Sequence, residues 1–301
     1  MWLKQGLIYC PSGELWWARR YAYLPTVEVI SQNRLRIYFA SLDENKYGRI
    51  GFIDVDAEQP KNILFVSQEP ILDLGEIGCF DDCGVNPSYI LNASGKKYLY
   101  YVGWQKCERV PYKIFAGLAI SEDGISFRRH SQLPILDRTE NELCIRSATT
   151  ILKENDQYKM WYVSAFKWIT VKATLYPNYI IRYAESSDGI VWHNSPDVCI
   201  DFENENEFGF GRPYVIKENN LYKMWYSIRS KDEPYRIGYA ESMDGIKWKR
   251  KDHEVGIEKS KMGWDSEMIC FPCVVDVNGR RYMFYNGNGC GTSGFGYAVK
   301  E

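Results

Sequence analysis

The sequence predicts an all-β protein: a five-bladed β-propeller of four-stranded antiparallel blades, one domain over residues 1–301, its ring closed by an N-terminal strand. Three observations carry this. A hairpin pattern recurs five times, a second motif follows it at a fixed phase, and helix-period stretches with caps are essentially absent. A chain of this length buries a substantial core without a disulfide or metal staple.

The hairpins come first. PTVEVISQNRLRIYFAS, PSYILNASGKKYLYYVG, ATTILKENDQYKMWYVS, PYVIKENNLYKMWYSIR and PCVVDVNGRRYMFYNGN each join a short apolar run, a polar turn and a strongly aromatic run. Two such runs around a turn rich in Asn, Asp, Gly and Lys make a β-hairpin. The segments begin at Pro25, Pro87, Ala148, Pro213 and Pro272, at intervals of 62, 61, 65 and 59 residues. The second motif is A-x-S-x-D-G-I-x-[WF], in GLAISEDGISFRR, RYAESSDGIVWHN and GYAESMDGIKWKR. It reads as a third strand, a tight turn whose Asp-Gly supplies a positive φ, and a fourth strand opened by an aromatic. The first-repeat copy, GRIGFIDVDAEQPKNILFV, is degenerate, and the last stops at GFGYAVKE. The fifth unit is therefore a strand short, while the segment around Gly6 to Trp17 is left over, and counting assigns it the closing strand. Four-stranded units set radially make a propeller, and nothing between them reads as a linker.

Composition narrows the function classes. The 37 basic and 39 acidic side chains leave a formal charge of −2, which attracts neither nucleic acid nor an anionic membrane. The first residues have no apolar signal-like stretch, and no later run approaches a membrane span. Nine cysteines, scattered without a framework of pairs, suit a reducing compartment, so the expected location is the cytoplasm. The aromatic share is high, with 23 Tyr and 10 Trp. Most of these fit half-buried strands, and a few offer flat faces for sugar rings.

The Pro-led inner strand, K-M-W-Y and Y-A-x-S-x-D-G-I-x-W together resemble the five-bladed propellers of glycoside hydrolase families 43, 32 and 130, over nearly the whole chain. The A-E-S-x-D-G-I-x-W element is similar to the Asp-box of sialidases, a structural turn remote from the site. Asp123, Asp188 and Asp244 are therefore expected to be turn residues. The resemblance implies an active site on the propeller axis, built just before each innermost strand from three carboxylates. In many members an Asp precedes the first two of these strands and a Glu lies near a later one. This chain departs from that pattern: the corresponding residues are Leu24, Asn86, Ser147, Arg212 and Phe271, and none is acidic.

Other acids stand near the axis in sequence phase. Asp82 and Glu267 each lie five residues before their strand start, with Asp81 and Asp265 beside them. If equal phase means equal height and radius, these four candidate catalytic carboxylates converge, and two opposed carboxylates are what glycosidic cleavage needs. The alternative is that they bond loop amides and arginines between blades. Arg146 and Arg212, just ahead of their strands, offer forks for an anionic sugar, a sugar phosphate or inorganic phosphate, or else salt bridges to those same acids. Glu28 on the first inner strand, and Trp104 and Trp168 in longer loops, are further candidates for binding substrate.

Metal and thiol chemistry find little support. Cys270 and Cys273 have C-x-x-C spacing with no second pair, Cys79 and Cys83 have no nearby histidine, and His130, His193 and His253 fall at the rim. YNGNGCGTSGFGY is Gly-rich but precedes no helix, so it is not a phosphate loop. No cofactor is expected, and a central Ca²⁺, which some of these families hold, is left open. The expected function is a carbohydrate-active enzyme, a glycosidase or glycoside phosphorylase, acting in the central funnel on a carbohydrate or sugar phosphate. The alternative is a non-catalytic carbohydrate-binding propeller, which the missing acid-Pro motifs favour.

Overall fold

The computed structural model describes residues 1–301 and contains twenty strands. After β1 (Trp2–Tyr9), the first repeat gives β2 (Arg20–Ser31), β3 (Arg34–Leu42), β4 (Gly48–Asp56) and β5 (Ile63–Val66). The second gives β6 (Gly84–Ala93), β7 (Lys96–Lys106), β8 (Tyr112–Ser121) and β9 (Arg128–Arg129). The third gives β10 (Ile145–Glu154), β11 (Gln157–Val171), β12 (Thr174–Ser186) and β13 (His193–Ile200). The fourth gives β14 (Glu207–Glu218), β15 (Leu221–Ser230), β16 (Arg236–Ser242) and β17 (Lys249–Arg250). The fifth has three strands of its own, β18 (Cys270–Val277), β19 (Arg280–Asn286) and β20 (Phe295–Lys300). No helix is long and apolar enough to cross a membrane.

Consecutive strands within each unit pair antiparallel. The fifth sheet takes β1 as its fourth strand, with Trp2 opposite Lys300 and Tyr9 opposite Phe295. Between units the backbone contributes little. Only the bridges Gly48–Gly84, Phe115–Arg146 and Tyr179–Gly209 cross from a third strand to the next innermost strand. Side chains must therefore fasten unit to unit.

The Asp-Gly turns supply one fastening. Asp123 Oδ1 accepts from Ser121 Oγ at 2.8 Å and from the N–H groups of Ile125 and Ser126 at 2.8 and 2.7 Å. Asp188 and Asp244 repeat this pattern, and the glycines that follow all three sit at φ +74 to +81. Each turn then docks on the second strand of the preceding unit. Arg36 Nη1 donates to Gly124 O at 3.0 Å, Tyr100 Oη to Gly189 O at 2.8 Å, and Trp161 Nε1 to Gly245 O at 2.7 Å. The degenerate first copy keeps half of the device, since Asp56 Oδ1 accepts from the N–H groups of Glu58 and Gln59 at 2.8 and 2.9 Å.

The Tyr of K-M-W-Y pins a connection between units to the unit beside it. Tyr101, Tyr162, Tyr226 and Tyr285 each donate to a carboxylate: Asp81 at 2.9 Å, Glu142 at 2.9 Å, Asp252 at 2.7 Å and Asp265 at 3.0 Å. A cation completes each set, at 2.7 Å from Arg129, 3.0 Å from Arg146, 2.6 Å from Arg250 and 2.7 Å from Lys4 respectively. Buried charges are tolerated when paired and hydrogen-bonded in this way. In the first unit the equivalent residue is Phe39. Its site is apolar instead, filled by Tyr9, Trp17 and Phe295.

Candidate functional site

The candidate site begins with a backbone irregularity that recurs in every unit. Each innermost strand breaks register at the same place: Tyr23/Thr26, Pro87/Tyr89, Ser147/Thr150, Gly211/Tyr214 and Cys270/Cys273. In four of the five bulges a non-glycine residue takes the left-handed region, at φ +54 for Leu24, +52 for Ala148, +38 for Arg212 and +56 for Phe271. Such backbone costs a non-glycine residue about 1 kcal/mol or more. Hydrogen bonds hold it, with Leu24 N donating to Asn286 Oδ1 and Phe271 N to Ser227 Oγ, both at 2.8 Å.

These bulges ring a cavity of about 380 Å³, within the usual range for small-molecule sites. All five units line it: Tyr23, Leu24 and Leu42 from the first, Asn86, Val102, Trp104, Pro111, Tyr112 and Ile114 from the second, Ala148, Val163 and Tyr179 from the third. Phe210, Gly211, Arg212, Arg229 and Tyr235 come from the fourth, and Phe271 and Cys290 from the fifth. None of the nineteen is Asp or Glu. In the third unit the lining residue is Ala148; Ser147, counted from the sequence as its equivalent, is fully buried behind it. The bulge spans the same two residues as in the fourth and fifth units, but Thr149 stands where those units have Pro213 and Pro272, so a count from a strand start at Ala148 lands one residue early.

Two guanidiniums give the cavity its electrostatics. Arg212 is nearly fully buried and bonds across the centre, from Nη1 to Pro25 O and Phe271 O at 2.8 and 3.2 Å, and from Nη2 to Thr26 Oγ1 and Ser88 O at 2.7 and 3.3 Å. It ties together three other units, and burial pulls it below its ordinary pKa. Arg229 sits among the rings of Tyr176, Tyr179 and Tyr235, 5.4, 5.3 and 5.0 Å from their centroids, and donates from Nε to Tyr235 Oη. Burial raises the Tyr179 and Tyr235 phenols well above their ordinary values, so both remain O–H groups. Cys290, at φ +57, is held below the usual thiol pKa by its neighbour Cys270 and by Arg229, against the effect of burial.

Trp104 forms part of the wall. Its indole lies on β6, where a Cβ on Gly84 would come within 2.3 Å of Nε1, so only glycine allows this approach. Trp168 is outside the lining but meets Tyr112 edge-on at 5.5 Å, supporting a residue that is inside it.

The four candidate carboxylates do not converge here. Asp81 and Asp265 are buried in the Tyr–cation sets described above. Asp82 closes a local turn, accepting from Gly78 N at 2.9 Å. Glu267 is exposed, with its backbone N–H donating to Asn288 Oδ1 at 2.8 Å, and it borders a separate groove against Tyr235, Arg236 and Lys259. Asp81 and Asp265, in the connections ahead of β6 and β18, are taken up by the tyrosine and cation of the unit that follows, Tyr101 with Arg129 and Tyr285 with Lys4, and are absent from the cavity lining. Arg146 is likewise elsewhere, paired to Glu142 and bonded to Asn194. Glu28 accepts from Tyr38 Oη at 2.9 Å, Asn92 Nδ2 at 3.1 Å and Lys97 Nζ, outside the cavity lining. Of the nine candidates only Arg212 and Trp104 line the cavity.

The residues that sequence reasoning missed are Arg229, Tyr112, Tyr179, Tyr235 and Cys290. A signal existed for the first. The fourth residue past the second-strand aromatic (Tyr38, Tyr100 and Trp225) is Leu42, Trp104 and Arg229 in three units, and all three line the cavity.

No protein-family model matches the chain. The fold is nevertheless that of the β-propeller glycoside hydrolases. A glycoside hydrolase structure superimposes with a TM-score of 0.77 at 17% identity, covering 99% of this chain and 90% of that one. The α-L-arabinofuranosidase of Lactobacillus brevis gives 0.71 at 12% identity, over 93% and 90% of the two chains. A thermostable family-43 glycoside hydrolase gives 0.68 at 18% identity, over 93% and 88%. At these identities the likeness defines the class of fold and nothing of the chemistry. By sequence the chain belongs to the family of the Mycobacterium tuberculosis protein Rv1502 (strain H37Rv), 40% identical over 300 residues, 100% of this chain and 99% of the relative. MT1551, from a second strain of that organism, matches to the same extent.

Proposed function

We propose that this protein is a carbohydrate-binding propeller that holds its sugar in the axial cavity and does not cleave it by the two-carboxylate route. In this reading the five strand units are five blades, and β1 closes the ring. The single observation that carries it is the cavity lining: aromatic walls with polar groups at a few points, and no acid. Glycosidic cleavage uses a protonated carboxyl and an ionised one, roughly 5–9.5 Å apart across the bond. The positions where related folds keep such groups hold Leu24, Asn86, Ala148, Arg212 and Phe271. The rim of Trp104, Tyr112 and Tyr235 supports stacking of sugar rings. All nine cysteines are unpaired, which supports a reducing compartment.

The test is a binding panel of mono- and oligosaccharides, read by melting temperature and tryptophan fluorescence, run beside an assay for released reducing sugar. Binding that raises the melting temperature without turnover is the expected result. Turnover by the purified protein, abolished by Asn86→Ala or Trp104→Ala, would overturn the non-catalytic reading.

A further inference from the structure

The two arginines of the cavity differ from the well-buried arginines elsewhere in having no carboxylate partner. Outside it, the well-buried arginines have carboxylate partners: Arg36 with Asp54 at 2.8 Å, Arg49 with Asp43 at 2.6 Å, and Arg250 with Glu207 at 2.7 Å. Arg212 has no carboxylate but spends both terminal nitrogens on four protein oxygens. Arg229 has neither. No carboxylate lies within ion-pair distance, Nε alone finds a protein acceptor, and Nη1 is shut from solvent with no partner. A guanidinium has five N–H donors in a rigid fork suited to oxyanions. Leaving them unused in a low-dielectric wall is costly unless something supplies the acceptor.

We propose that Arg229 anchors an oxyanion subsite, so that the ligand of the cavity carries a carboxylate or phosphate group. This rests on reading the cavity as the ligand site, and it gives that ligand its chemical class. The surroundings agree on the sign of charge. No acid lines the cavity to repel an anion, and Arg212 contributes a second fixed positive charge. Phenol donors converge from the same side. Tyr112 Oη and Tyr179 Oη lie 3.2 Å apart, so one donates to the other and leaves a second O–H free for a ligand oxygen. The anion takes the fork of Arg229 and that phenol, while the rest of the sugar lies against the aromatic wall.

The experiment compares wild type with Arg229→Gln and Arg229→Lys by titration calorimetry. The probes are D-glucuronic acid, D-glucose, glucose 6-phosphate and inorganic phosphate, with circular dichroism confirming that the variants fold. Wild type is expected to bind at least one acidic sugar about tenfold or more tighter than glucose, the strength of a charge-assisted contact. Arg229→Gln removes that preference and leaves the neutral sugar unchanged, and Arg229→Lys retains part of it. Equal affinity of wild type for acidic and neutral sugars overturns the subsite, as does an equal loss of both in Arg229→Gln. If no sugar binds, the carbohydrate reading fails, and inorganic phosphate alone decides the subsite. Phosphate binding that disappears in Arg229→Gln upholds it, and its absence overturns it. Preference for inorganic phosphate over glucose 6-phosphate assigns the anion to a free ion and overturns the link to the sugar.

Discussion

At the scale of single residues, this chain uses arginine as rivet and as open hand, and the two roles predict opposite phenotypes. Arg146 is a rivet: its side chain and that of Glu142 are each about 5% exposed or less, and they sit 3.0 Å apart with Tyr162 Oη on the same carboxylate. Removing one member of such a pair strands the other charge. Arg182, 3.8 Å from Glu142, retains some compensation. Arg146→Ala is therefore expected to cost about 3 kcal/mol, the low end for a broken buried pair, with ligand affinity of the folded protein unchanged. Urea unfolding and titration on the same sample measure both. Loss of affinity at full stability would return Arg146 to the ligand site. The contrast also explains what the sequence hid. A motif shows that an arginine or aspartate is present, but Asp81 and Arg129 lie 48 residues apart, and their pairing exists only after folding. Arg229 was harder still, because its significance is a partner it lacks.

At the scale of the strand and turn, the local motifs were the legible part. The Asp-Gly turns are closed by contacts within three residues, so Asp123, Asp188 and Asp244 could be read from the pattern alone. The inner strands were less legible, because the third unit has Thr149 where the other four have proline, and without that marker a count places the strand start one residue early, at Ala148. Ser147 is counted in place of Ala148 for that reason. The turns also carry a pH signature. The Asp244 carboxyl is held below its usual value, chiefly by the Lys247 N–H, which outweighs the opposing effect of burial with help from Ile246 N–H and Ser242. A carboxyl whose folded pKa is depressed stabilises the fold above its unfolded value, about pH 4, and that contribution is lost as pH falls through the folded pKa. In Asp244→Asn the amide oxygen keeps the acceptor but cannot ionise. The variant should unfold at lower urea than wild type at neutral pH, and the gap should narrow as the pH falls below about 4. A gap of constant size across that range would mean that the ionised form contributes nothing to the turn.

At the scale of the whole molecule, the all-β repeat was legible because the period is long and steady, and the pairing of the N-terminal strand with β20 because one unit was visibly a strand short. What no period can show is how firmly the two chain ends are joined. In the structure β1 does more than complete a ladder. Lys4 reaches Asp265 at 2.7 Å, and Trp2, about 5% exposed, meets Trp225 of the fourth unit edge-on at 6.2 Å. Trp2 N also donates to Gly256 O at 3.0 Å. The strand thus touches the unit before the one it completes, as each Asp-Gly turn does elsewhere. If the ring unfolds as one cooperative body, weakening this seam destabilises all of it. Trp2→Ala removes a large buried ring, an exchange that costs about 3–5 kcal/mol. At about 2–4 °C per kcal/mol for a domain of this size, the melting temperature should fall by roughly 10 °C in a single transition. A split transition, with one part unmoved, would show that the units melt separately and that β1 decorates the fifth sheet without binding the ring.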